Sequence, residues 1–124
     1  MMRPALIAML AGCGGTGSGL DGAQPLATLT VGEQTQLCQY LADAYPARIV
    51  SCTMSDQRMG GAPTVPQCTS TLQRFAMANP ACPATVAQTE ACYTALAAWT
   101  DGEVCMPPPL PTVCAPLRTP DCSK

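Results

Sequence analysis

Nine cysteines in a chain of 124 residues constrain this sequence more than any other feature. Cysteine at that density belongs to oxidising compartments, where thiols pair and staple small domains whose cores cannot hold alone. The core on offer here is poor. Aromatic residues make up 4% of the chain, and much of its apolar content is small. At about 25 cal/mol per Å² of buried apolar area, such a core is marginal, whereas one disulfide contributes about 2–4 kcal/mol by restricting the unfolded chain. The length suits one domain rather than two. A structural zinc site would show close pairs such as Cys-x-x-Cys, often with His. The chain has no His, and its closest cysteines, Cys114 and Cys122, have seven residues between them. No metal and no cofactor are expected.

The N-terminus reads as an address. Arg3 supplies a positive end, and Ala5 to Ala11 form an apolar segment far shorter than the roughly 20 residues that span a bilayer. Leu10-Ala11-Gly12-Cys13 resembles the lipobox of bacterial lipoprotein signal peptides. That resemblance implies cleavage before Cys13 and acylation of its sulfur and new N-terminus. Several acyl chains anchor stably, at about 0.8 kcal/mol per buried CH₂, where one does not. Gly14, where the enterobacterial sorting rule would place Asp for inner-membrane retention, implies delivery to the outer membrane, on its periplasmic face or the cell surface. Gly14 to Gly19 alternate Gly with Thr and Ser, so residues 13–25 read as a lipidated cysteine and flexible linker. The expected organisation is a signal peptide over 1–12, this linker, and a folded domain over 26–124.

Within that domain a helical plan recurs. Thr30-Val31-Gly32-Glu33, Thr64-Val65-Pro66-Gln67 and Thr85-Val86-Ala87-Gln88 share a Thr-Val-x-Glu/Gln pattern, the spacing of a capping box. Cys38, Cys68 and Cys92 follow, each with an aromatic seven residues on (Tyr45, Phe75, Trp99) and a Leu three or four on (Leu41, Leu72, Leu96). Spacings of 3, 4 and 7 share one helical face, so each helix is expected to present Cys, Leu and aromatic to a common core. Pro46, Pro80 and Asp101-Gly102 supply the stops. The expected fold is all-α: a small disulfide-rich bundle of about three helices with an irregular, Pro-rich C-terminal tail from Met106.

The remaining cysteines fall 13 or 14 residues after their partners in the pattern: Cys52 after Cys38, Cys82 after Cys68 and Cys105 after Cys92. Helix-pair proteins with twin Cys-x9-Cys motifs nest their bridges, and by analogy Cys38 pairs with Cys82 and Cys52 with Cys68. Cys92, Cys105, Cys114 and Cys122 then tie the third helix to the tail. Eight cysteines allow 105 pairings, so this stays one expectation among many.

Catalytic groups are scarce. Without His there is no Ser-His-Asp or Cys-His arrangement, and eight cysteines in an oxidising compartment are expected to be paired. Asp101 and Glu103 are the closest acids a carboxylate-dependent hydrolase could use, but acids beside Gly102 at a helix end are ordinary. Gly60-Gly61 lacks the Lys-Ser/Thr of a phosphate loop. Met54 and Met59 alone are too few for a soft-metal site. Residues 13–124 carry five basic and eight acidic side chains without a basic stripe, which argues against nucleic acid as a partner. The whole chain also resembles uncharacterised cysteine-rich lipoproteins of myxobacterial type, through the lipobox and the stretch Ala81 to Cys92. The expectation is therefore a non-enzymatic, lipid-anchored protein acting by contact with a protein partner. The alternative is an inhibitor or toxin-like module that presents the loop Thr53 to Pro63.

Overall fold

The computed structural model describes residues 17–53 and 55–124. The three expected capping boxes all form. Helix α1 (Val31–Ala44), α2 (Val65–Ala78) and α3 (Val86–Ala97) begin after Thr30, Thr64 and Thr85, and in each the Thr hydroxyl accepts the N3 amide while Glu or Gln reaches back to the cap. These reciprocal bonds satisfy donors that a helix start otherwise leaves unpaired. Pro46 and Pro80 stand just beyond the ends of α1 and α2, where a ring cannot continue a helix.

The all-α expectation fails between α1 and α2. Arg48–Ser51 (β1) and Gln57–Gly60 (β2) form an antiparallel hairpin, with Ile49 opposite Met59 and Val50 opposite Arg58. The β-branched pair Ile49-Val50 suits a pleated strand. Val50 is buried on the inner face and Ile49 is exposed on the outer one, an alternation that a helix would not give. Asp101-Gly102 is a second departure. It starts a helix rather than stopping one: α4 (Asp101–Cys105) carries a fourth capping box, between Thr100 and Glu103. The result is a small mixed fold of four α-helices, 3-10 turns and one two-stranded sheet among the described residues.

The expected linker also behaves differently from Gly17 onwards. Leu20, Leu26 and Leu29 are buried in the core with Leu37, Leu41, Ala84 and Val86. The backbone of residues 22–26 bonds to the start of α3 through Leu26 N–H to Ala84 O, Val86 N–H to Gln24 O and Ala87 N–H to Gly22 O. Composition marked this segment as linker because Gly and Ser dominate its first half. Leu20 and the backbone bonds at Gly22 and Gln24 decide its fate, because burying one leucine contributes about 1.5–3 kcal/mol.

Four disulfides staple the fold: Cys38–Cys68, Cys52–Cys105, Cys82–Cys122 and Cys92–Cys114. The nested Cys38–Cys82 and Cys52–Cys68 bridges are thus overturned. The hairpin takes Cys52 away from the α1–α2 interface, leaving Cys38 and Cys68 to join the two helices directly. Cys92 does tie α3 to the tail. The tail wraps as a 3-10 segment over Thr112–Arg118, packed on α3, and ends with Cys122 bonded to the loop before α3. By loop-closure entropy, bridges spanning 22 to 53 residues contribute about 3–4 kcal/mol each.

Candidate functional site

The eight cysteines named from sequence are all in disulfides, so none is a free nucleophile. Cys13 and Met54 lie outside the described residues. Asp101 and Glu103 serve local structure: Asp101 sits 3.4 Å from Arg48 Nε, and Glu103 accepts the Thr100 amide at 2.9 Å. Met59 is exposed opposite Ile49 on the hairpin. Among the described residues no cluster of three or more His, Cys, Asp or Glu side chains has metal-binding geometry. None of their helices is long and apolar enough to cross a membrane.

The structure brings together residues that sequence reasoning did not. The inner side of the hairpin faces the corner between α3 and α4 across a cleft of about 320 Å³, lined in part by Arg48, Arg58, Leu96, Trp99 and Val104. Trp99, the chain's sole tryptophan, is half-buried here and does not join the core cluster. Tyr45 and Phe75 do pack against that core as the spacing predicts, with Leu41 and Leu72. Leu96 and Trp99 diverge: neither joins the core cluster, both line the cleft, and Trp99 lies past the end of α3 at Ala97.

Local structure builds the cleft. Gly61 adopts a left-handed φ of 82°, and a Cβ there would collide with the Pro46 carbonyl, so glycine is required where β2 turns back towards the core. At Gly60 a Cβ would lie 3.3 Å from the Arg48 guanidinium carbon, so its absence leaves room for that side chain. Arg48 donates from Nη2 to the Trp99 carbonyl at 3.0 Å, linking β1 to the end of α3. Arg58 contacts Asp56 at 3.3 and 3.5 Å. A guanidinium has five N–H donors. Each of these therefore keeps three without a partner among the described residues. Cys52–Cys105 fixes the distance between hairpin and α4, and so the width of the cleft.

A second polar assembly lies at the other side of α3. Glu90 is buried, and its carboxylate accepts the Gly17 amide at 3.2 Å and the Ser18 hydroxyl at 2.6 Å. Gln36 Nε2 donates to the Ser18 carbonyl at 2.7 Å. Any side chain at position 17 would collide with the Tyr40 ring. Three long-range contacts thus hold the first described residues against α1 and α3. Another cavity, about 190 Å³, opens between α1, α2 and α3, but core side chains such as Leu37, Leu41, Leu72 and Phe75 line it. Tyr93 also borders it, and burial pushes its phenol above the ordinary tyrosine range. It lacks any charged group and reads as a seam in the packing.

Legible signals existed for part of this. Thr100-Asp101-Gly102-Glu103 repeats the Thr-x-x-Glu spacing of the other boxes. Nothing in the sequence places Arg48, Arg58 and Trp99 together, because their meeting depends on the hairpin and on where α3 ends. Comparison with protein-family models, curated proteins and solved structures finds no match for the chain. Its class is therefore set by what it displays: a cysteine-rich domain closed by four disulfides, folded in an oxidising, extracytoplasmic environment.

Proposed function

We propose that this protein is a lipid-anchored extracytoplasmic binding protein, tethered through Cys13 to the outer membrane and acting by contact rather than catalysis. One observation carries the reading. Eight of nine cysteines pair with one another, which leaves Cys13 without an intrachain partner at the one position that resembles a lipidation site. An unpaired thiol exposed in an oxidising compartment invites cross-linking, and acylation removes it. Because Gly17 is held by Glu90, the four residues from Cys13 to Gly17 allow a span of at most about 14 Å. A domain so tethered works close to the bilayer and reaches partners there. Fractionation of cells expressing the protein and its Cys13→Ser variant tests the anchor. The parent is expected with the outer membrane and the variant in the soluble fraction, while equal distribution of the two overturns the reading.

A second reading, an inhibitor-like module, is favoured by the hairpin itself. It exposes Ile49 and Met59 side by side and is held at its turn by Cys52–Cys105. Disulfide-braced protrusions of this sort resist cleavage and can occupy a protease cleft. A protease panel challenged with the purified protein, then with Ile49→Asp, separates the two. Loss of inhibition in the variant supports the inhibitor, and no inhibition by the parent removes it.

A further inference from the structure

We propose that the cleft between the hairpin and the α3–α4 corner binds a small carboxylate carrying an apolar or aromatic body. This deepens the contact-acting reading by naming a ligand class, and its test does not depend on the anchor.

Charge comes first. The chain carries a formal net charge of −2, yet two of its six basic side chains, Arg48 and Arg58, line one cleft. A guanidinium presents a planar fork that matches a carboxylate with two parallel hydrogen bonds. The two arginines already show that preference, since Asp101 and Asp56 sit beside them at 3.3–3.5 Å. Those bridges are long and substantially exposed, so each is worth at most about 1 kcal/mol and orients a guanidinium without saturating it. Arg48 is further fixed by the Trp99 carbonyl. The site is thus preformed, with N–H donors to spare on both side chains.

The walls supply the second half. Trp99, Leu96 and Val104 give the cleft an apolar lining from the α3–α4 corner, across from the two arginines of the hairpin. An indole left half-buried outside the core is an aromatic surface awaiting a partner, and aromatic packing contributes about 0.5–1.5 kcal/mol beyond area burial. A bare inorganic anion would use the arginines and waste these walls. An uncharged apolar molecule would use the walls and leave the guanidiniums unmatched. At about 320 Å³ the cleft lies at the small end of ligand sites, about 300–1,000 Å³, so the group it holds is small. A free organic acid and the C-terminal carboxylate of an apolar peptide share this chemistry.

Because Trp99 is the sole tryptophan, its fluorescence reads the site directly. The oxidised full-length protein is titrated with 3-phenylpropanoate, with 3-phenylpropanamide, and with an N-acetylated Gly-Leu dipeptide in free-acid and amidated forms. The acids are expected to give a saturable change, with each amide about tenfold weaker. Arg58→Gln should weaken acid binding about tenfold. Arg74→Gln, outside the cleft on α2, should leave it unchanged. The tighter of the two acids identifies the source as a free acid or a peptide terminus. Absence of saturation at millimolar acid, equal affinity for acid and amide, or equal affinity in Arg58→Gln each overturns the proposal. Intact-mass measurement of four disulfides in every variant ensures that a loss is not misfolding. Failure here leaves the Cys13 anchor standing, and failure of the anchor leaves this site standing.

Discussion

The two flanks of α3 treat polar groups in opposite ways. On one flank Glu90 is buried and its oxygens are occupied by Gly17 and Ser18, so charge is enclosed and satisfied. On the other, Arg48 and Arg58 line an open cleft beside Trp99 and hold their aspartates loosely. A buried carboxylate with both oxygens hydrogen-bonded stabilises one arrangement, because breaking it strands donors and acceptors. A half-exposed charge with donors left over stabilises little and is available to something else. The closed flank holds the chain's entry to the fold, and the open flank is where a binding function has room.

Stability measurements can break that contrast. The largest effect is expected from Leu37→Ala, which empties a fully buried position: about 3–4 kcal/mol in denaturant unfolding, against less than about 0.5 kcal/mol for Ile49→Ala on the exposed face of the hairpin. Similar losses at both positions would contradict the division. Glu90→Ala should cost about 2 kcal/mol and release the segment before Leu20, seen as faster amide exchange at Gly17. Arg58→Gln, on the open flank, should change stability by less than about 0.5 kcal/mol. Between these, Thr85→Ala removes a capping box and should cost about 1 kcal/mol, lowering the unfolding midpoint without altering the slope.

The smallest effect concerns pH. The Thr30 amide, with help from Gln24, holds the Glu33 carboxyl below its usual range. A depressed folded pKa contributes stability that is present above the unfolded pKa and lost as pH falls through the folded value. Glu33→Gln keeps an acceptor for the cap but cannot titrate. Its melting temperature should fall slightly less than the parent's as pH drops through the carboxylate range. An identical acid limb in both would show that Glu33 adds nothing there.

Local rules made the helices legible. Thr with Glu or Gln three residues on marks each start because the two side chains satisfy backbone donors within one turn, a relation contained in four residues. The same rule at Thr100 was masked by Asp101-Gly102, which also reads as a stop. The hairpin was harder to read. Its strands are four residues each, and Arg48-Ile49-Val50-Ser51 is too short for a period-2 pattern to outweigh the helical spacing of Cys38 and Cys52. Disulfide pairing was beyond local reading, since a bridge needs two Cα atoms within about 7 Å and that is a tertiary property. The Gly17–Ser18 grip depends on Glu90, more than 70 residues later. The cleft depended on all of these: on the hairpin for its two arginines, on the end of α3 for Trp99, and on Cys52–Cys105 for its closure.

One spectrum tests the cysteine division directly: the intact mass of protein extracted from membranes and treated with an alkylating agent before any reduction. The account predicts a chain beginning at Cys13, heavier by its acyl groups, with eight cysteines oxidised and no alkyl adduct. A mass without lipid, or an adduct on any of the eight, would contradict it.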